Sequence, residues 1–207
     1  MTSARTEAIR SMLHSDSALA AKAELRRAAL ERRDQLDPEA RAAAARMVGS
    51  QAFPVDLPRG AVVSGFSPIR SEINPMSLLR RLAEAGAELA LPTIVARGKP
   101  LSFRAWTFGQ ELQRGQWGIR EPKPDAPELY PDLLVVPLAA FDRRGHRIGY
   151  GAGYYDLTLT ALRARKPITA LGIAYAVQEI DAVPVLPHDA PLDLVLTERE
   201  VIDCRGA

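Results

Sequence analysis

Cysteine is nearly missing from this chain: Cys204, close to the end, is the only one in 207 residues. A disulfide framework needs pairs and a thiolate metal site needs clusters, so neither can be assembled, and a reducing cytoplasm is the expected setting. Neither charge sign dominates, with 27 Lys and Arg against 25 Asp and Glu and a net charge of +2. No long basic block is interleaved with aromatic residues, which argues against a nucleic-acid partner and leaves acidic small molecules open. Apolar runs of membrane-spanning length are absent, so no membrane partner is expected. The segment Met1 to Ser17 lacks the continuous hydrophobic stretch of a secretory signal, and its Glu7 and Asp16 do not suit a transit peptide. It reads as a loosely held tail over residues 1–16. The remainder, 17–207, reads as a single domain, because a chain of this length with 47% hydrophobic residues can bury one substantial core. A monomer is the default.

Ser17 to Gln35 is rich in Ala, Leu and charges and predicts a helix on which Lys22, Arg26 and Arg33 recur on one face. Asp37-Pro38 is an N-cap followed by proline at the first helical position, opening a second helix through about Ser50. Ala61 to Phe66 predicts a strand, Asn74-Pro75 another capped helix ending at Gly86, and Glu88 to Leu91 a second strand. That order is a parallel βαβ crossover, and it recurs in Leu133 to Pro137, a helix from near Tyr154, and Ile168 to Ala174. Leu192 to Thr197 reads as the last strand. Pro92 to Pro131, rich in Pro and Gly, reads as an excursion over the surface with a hairpin around Leu101 to Trp106. Such units predict an α/β fold with a mostly parallel sheet and helices on both faces, binding ligands at the carboxyl ends of its strands.

One segment sits at such an end and carries chemistry: the run from Pro137 to Asp156, with Gly149, Gly151 and Gly153 between a buried-strand pattern and a helix. Glycines let backbone N–H groups turn toward an anion without a Cβ in the way, while Arg147 and Asp156 offer a positive charge and a magnesium ligand. A short alternating glycine run alone is as often a plain strand-to-helix turn. Its continuation into Tyr154, Tyr155 and a carboxylate is more specific. The loop Ser67 to Glu72, after the first strand, reaches the same edge of the sheet.

Taken together these pieces resemble the 5-formyltetrahydrofolate cyclo-ligase (methenyltetrahydrofolate synthetase) family. The resemblance is carried by Lys22-Ala-Glu-Leu-Arg26, Glu72, Leu91-Pro92 leading to Leu112-Gln-Arg-Gly-Gln-Trp-Gly-Ile-Arg-Glu-Pro122, and the glycine and tyrosine motif. It continues through Gly172-Ile-Ala-Tyr-Ala-Val-Gln-Glu179, His188-Asp189 and Leu192-Asp-Leu-Val-Leu-Thr-Glu198, so that it spans most of the chain. It implies a three-layer, Rossmann-like architecture of the NagB/RpiA/CoA-transferase-like kind. It also implies ATP-dependent cyclisation of 5-formyltetrahydrofolate to 5,10-methenyltetrahydrofolate, with ADP and phosphate released, an N5-iminium phosphate as intermediate, ATP as co-substrate and Mg2+ present.

Residue by residue, the resemblance assigns ATP binding to Lys22, Arg26, Arg147, Ile148, Gly149, Tyr150, Gly151, Ala152, Gly153, Tyr154 and Tyr155. It assigns folate binding to Arg26, Ser67, Glu72, Tyr150, Gly151, Ala152, Gly153 and Tyr154, catalysis to Arg147 and Tyr154, and magnesium to Asp156 and Asp189. Without the resemblance the same residues read more plainly. Lys22 and Arg26 are a solvated basic face, Arg147 a turn arginine, Tyr154 and Tyr155 core packing, Glu72 an exposed glutamate, Asp156 an N-cap and Asp189 a turn residue. Trp117 is a pocket candidate or a packing anchor. Asp193 lies close enough in sequence to compete with Asp189. Ala152 and Leu157 stand where many family members carry a polar or basic residue, and Arg143 or Arg144 are the cations near enough in sequence to compensate. Two other functions stay open: a diverged relative with another substrate, and a nucleotide-binding module without catalysis.

Overall fold

The computed structural model describes residues 2–206, with side chains from residue 16 onward except that of Trp117. Helix α1 (Thr2–Asp34) ends within a residue of the expected position but begins well before Ser17. Helix α2 (Pro38–Ser50) starts as its sequence dictates, with Asp37 accepting the Ala40 N–H at 2.8 Å and Pro38 in the first turn. After β1 (Val62–Ser64), the Asn74 side chain accepts the Met76 N–H at 3.0 Å to open α3 (Met76–Glu84), and Gly86 at φ 101° turns the chain into β2 (Glu88–Thr93).

The segment expected as a surface excursion departs from that reading. Its β3 (Ser102–Ala105) pairs antiparallel with β2, Thr93 opposite Ser102, and so extends the main sheet. The cause is apolar burial: Phe103 and Trp106 are almost fully covered, and a strand carrying such residues finds a sheet edge before it finds solvent. Two short strands, β4 (Gln113–Arg114) and β5 (Arg120–Glu121), form a separate ribbon, and β6 (Glu128–Leu129) closes the sheet edge beyond β3.

The second half supplies β7 (Leu133–Pro137), a ribbon of β8 (Ala140–Phe141) and β9 (Arg147–Ile148), α4 (Tyr154–Arg165), β10 (Thr169–Ile173) and β11 (Leu194–Leu196). The sequence reading placed no strand after Thr197; β12 (Val201–Asp203) follows antiparallel to β11 and buries Ile202. The sheet order is β12-β11-β10-β7-β1-β2-β3-β6. From β11 to β2 every pairing is parallel, and antiparallel strands flank that centre on both sides.

Helices cover both faces. Leu133 and Val135 of β7 pack with α2 and α3 through Ala44, Val48, Leu78, Leu79 and Leu82, while Leu134 and Val136 face α4 through Leu159 and Leu162. A strand buried on both sides needs an unbroken apolar run, which is why this one is legible in sequence. Helix α1 lies apart from these layers, its Ala29 packed against Ala140, Ile148 and Val183 at the β8–β9 ribbon. The result is the three-layer α/β arrangement expected.

Candidate active site

Counted along the chain, the parallel strands run second, first, third, fourth, fifth across the sheet. The order reverses between β1 and β7, and at such a reversal the loops leaving the carboxyl ends part and leave a crevice. A pocket of about 300 Å³ opens there. Every residue that the resemblance assigns to binding, catalysis or magnesium lines it: Lys22 and Arg26 from α1, Ser67 and Glu72 from the loop after β1, residues 147–156, and Asp189. Apolar walls come from Leu19, Phe66, Ile94, Leu101, Ile119 and Leu186. Ile119 belongs to the Leu112 to Pro122 stretch but has no role assigned there, and the other five carry no motif and look like ordinary core residues.

The β8–β9 ribbon aims the glycine segment into this space. Gly151 (φ 95°) and Gly153 (φ 71°) occupy left-handed backbone conformations, and Gly153 is the N-cap of α4 with no side-chain capping bond. Helix α4 therefore presents its amino end to the pocket. A Cβ built on Gly149 or Gly153 meets no heavy atom of the described residues within 4 Å, so the turn faces open space.

Three cations converge on it, and all are held. The Arg26 Nε donates to the Gly149 carbonyl at 2.6 Å, tying α1 to the turn, and burial pulls its pKa down. Lys22, nearly buried, is paired with Asp189. Arg147, also nearly buried, donates to the Ala190 carbonyl and forms a 2.8 Å ion pair with Asp156. Burial lowers the Arg147 pKa, and the Asp156 and Asp189 charges oppose that; guanidinium stays charged regardless. The basic stripe read from α1 is thus an inward face. Asp156 Oδ1 also accepts the Ala190 N–H at 3.1 Å, and Asp189 Oδ2 the Leu186 N–H at 2.6 Å. Asp193, the competitor, instead pairs with Arg163 at 2.9 Å and accepts the Ala170 N–H, away from the pocket.

Among the described residues no cluster of three or more His, Cys, Asp or Glu could hold a metal by itself. Two carboxylates beside a phosphate-sized space are instead what magnesium accepts when it keeps waters and arrives with phosphate oxygens, and in the hydrogen bonds described Asp156 and Asp189 each use one oxygen. Neither basic candidate for compensating Ala152 reaches the pocket. Arg143 pairs with Glu179 and Glu200, and Arg144 with Asp142. Ala152 lines the pocket, whereas Leu157 is partly exposed on α4 outside it. The Trp117 side chain lies outside the described ones.

The opposite end is built around Glu72. Its Oε2 accepts the Ile69 N–H at 2.8 Å, so the carboxylate folds its own loop, and Tyr150 lines the pocket with it. Burial raises the Glu72 pKa, and the Ile69 N–H, the Tyr150 hydroxyl and the Arg33 charge only partly offset that. Ser67 donates to the Arg120 carbonyl at 2.8 Å and keeps its lone pairs for a ligand. Tyr154 is buried and Tyr155 half-buried, both against the pocket. The arrangement offers one end suited to a polyanion and another suited to a flat heterocycle with N–H donors.

The chain is similar to known proteins of a single family. The profile of the 5-formyltetrahydrofolate cyclo-ligase family matches residues 18–198. A 5-formyltetrahydrofolate cyclo-ligase of Mycolicibacterium smegmatis is 35% identical over 155 residues, covering 69% of this chain and 76% of its own. The Escherichia coli K12 enzyme of that name is 33% identical over 67% of this chain and 79% of its own. The solved structure of Aquifex aeolicus 5,10-methenyltetrahydrofolate synthetase superposes with a TM-score of 0.72 at 29% identity, over 90% of this chain and 94% of the other. The synthetase of Mycoplasma pneumoniae shares the fold, with a TM-score of 0.68 at 21% identity over 86% and 98%. With the glycine turn, its cations and Glu72 assembled at one crevice and a family profile matching most of its length, this chain belongs to the 5-formyltetrahydrofolate cyclo-ligase family.

Proposed function

We propose that this chain closes 5-formyltetrahydrofolate to 5,10-methenyltetrahydrofolate at the expense of ATP. The observation that carries the reading is one pocket joining a cation-lined glycine turn to a recessed carboxylate, along which two substrates would lie end to end. A formamide oxygen leaves poorly. Attack of that oxygen on the γ-phosphorus expels ADP and gives an N5-iminium phosphate; N10 then adds to the iminium carbon and gives up its proton to water, and the C–O bond breaks to release phosphate. Because the oxygen departs as phosphate, no protein nucleophile is needed, and catalysis is positioning plus charge neutralisation.

The N–H groups of Gly149 to Gly153 and the amino end of α4 would cradle the triphosphate, with Ile148, Tyr150, Ala152 and Tyr155 shaping its bed. Lys22 and Arg26 would bind the phosphates, and Arg147 would meet the group in transfer. Asp156 and Asp189 would hold magnesium, which supplies further neutralisation of the phosphate oxygens. Each cation already has an anionic or carbonyl partner, so exchanging that partner for phosphate leaves no buried charge alone. Glu72 would accept hydrogen bonds from the pterin amine and ring N–H, with Ser67 beside it. Tyr150 and Tyr154 would pack on the ring, and the Tyr154 hydroxyl would bond the formyl oxygen. The protein is read as a cytoplasmic monomer without nucleic-acid or membrane partners; no helix of the described residues is long and apolar enough to cross a membrane.

Mixing the protein with ATP, magnesium and 5-formyltetrahydrofolate tests this reading. Methenyl absorbance should grow only when ATP is present. A folded, ATP-binding protein that forms no methenyl product would overturn it.

A further inference from the structure

Arg33 shares the inward face of α1 with Lys22 and Arg26, yet it does not line the pocket. It lies behind the wall at 1% exposure. A guanidinium withdrawn that far from water is costly unless its donors and its charge are answered. The donors are answered by Ser71 Oγ at 2.9 Å from Nε and by the Tyr150 hydroxyl at 2.5 Å from a terminal nitrogen. Ser71 passes its own proton to Asp34, but Asp34 is 3.9 Å from Arg33 and its side chain is 63% exposed, so water screens that charge. The sheltered anion is Glu72, which lines both the pocket and the small cavity behind it that Arg33 also lines.

The link between them runs one way. Tyr150 accepts from Arg33, which leaves its single proton free to turn toward Glu72, its neighbour on the pocket wall. A carboxylate held by the Ile69 N–H and flanked by the Tyr150 hydroxyl is fixed in orientation, and while it stays ionised its other lone pairs can take both N–H groups of a pterin edge. Protonation would turn one of those acceptors into a donor. The titratable groups facing Glu72 come from every neighbouring segment: Arg33 of α1, Tyr150 and Tyr155 of the glycine segment, and Tyr175 after β10. The tyrosines are neutral, their hydroxyls pushed up first by burial. Arg33 is the cation of the set.

We infer that Arg33 is a positioning residue for the folate end of the site, acting through the Tyr150 hydroxyl to keep the Glu72 carboxylate aimed and charged. The inference rests on the folate reading of this pocket for its purpose, but the coupling itself can be measured without substrate. The carboxyl carbon of Glu72 is followed by 13C NMR across pH in the ligand-free wild type and in Arg33→Met and Arg33→Lys. Michaelis constants for 5-formyltetrahydrofolate and ATP are then measured on the same proteins. Loss of the cation should raise the Glu72 midpoint by up to about one pH unit. The folate KM of Arg33→Met should rise about tenfold at neutral pH, with the acid limb of kcat/KM for folate moved to higher pH, while the ATP KM stays within about twofold. Lysine should restore part of both. A folded Arg33→Met protein with an unmoved Glu72 midpoint and folate KM overturns the inference. Should Arg33→Met not fold, Tyr150→Phe keeps the guanidinium and cuts the link, and an unmoved midpoint there overturns it equally. Absence of product in the wild type would defeat the proposed reaction instead, whatever Glu72 does.

Discussion

At the end of the pocket proposed for phosphate ten consecutive residues, 147–156, supply the turn, a guanidinium and a carboxylate, whereas the end proposed for folate collects Arg33 from α1, Glu72 from the loop after β1 and Tyr150 from the turn. The first is a local motif whose charges are paired across short reach, Arg147 with Asp156 at 2.8 Å. The second exists only once three distant segments meet, and its charge is carried through a hydroxyl. The phosphate end should therefore govern turnover, and the folate end affinity and pH dependence.

Arg147→Gln should separate the two ends most sharply. Removing the charged donor proposed to meet the transferring group should lower kcat by about 10²–10³-fold, while equilibrium binding of 5-formyltetrahydrofolate changes by no more than about twofold. An equal loss in folate binding would mean that the ends are not independent. Glu72→Gln should do the reverse, raising the folate KM by about 10- to 100-fold through loss of charge-assisted hydrogen bonds and sparing the ATP KM.

The same substitution has an opposite sign for stability. Burial holds the folded Glu72 carboxyl above its ordinary pKa, so the folded state binds that proton more tightly than the unfolded chain does. The stabilisation it brings is complete below the unfolded pKa and is lost as pH rises through the folded one. At neutral pH the ionised carboxylate is a cost, and Glu72→Gln should melt at or above the wild-type temperature there, the difference fading toward pH 4. A lower melting temperature at pH 7 would show that Arg33 and Tyr150 need the charge more than burial opposes it.

The smallest expected effects lie within the glycine turn. Gly153→Ala places an L residue at φ 71° and should cost about 1–2 kcal/mol in denaturant unfolding. Gly149→Ala meets neither a positive φ nor a neighbour within 4 Å, so it should unfold like wild type yet weaken ATP binding, since its methyl group occupies the space proposed for phosphate. Equal losses of stability for the two would remove the reason for distinguishing them.

This contrast also marks what could be read before folding. Strand β7, the Asp37 cap and the Gly86 stop announce themselves because their signals are local: an unbroken apolar run, a cap with proline after it, a glycine at φ 101°. Strand β3 showed only as a hairpin around Leu101 to Trp106, without its place in the main sheet, and β12 not at all, because each is short and gains its place only by pairing with an edge already built. Lys22 and Asp189 were each named as site residues, but that they pair, 167 positions apart, is a product of topology. Arg33 was visible as a member of a basic stripe. Nothing in the stripe says that one of its cations turns behind the wall to meet a tyrosine 117 positions away.

A crystal structure with magnesium and a non-hydrolysable ATP analogue bears on all of this at once. The triphosphate should lie against the N–H groups of Gly149 to Gly153, with Lys22 drawn off Asp189 and Arg147 turned toward the terminal phosphate. Nucleotide bound elsewhere, with the Lys22–Asp189 and Arg147–Asp156 pairs undisturbed, would contradict the assignment of that turn and the reaction built on it.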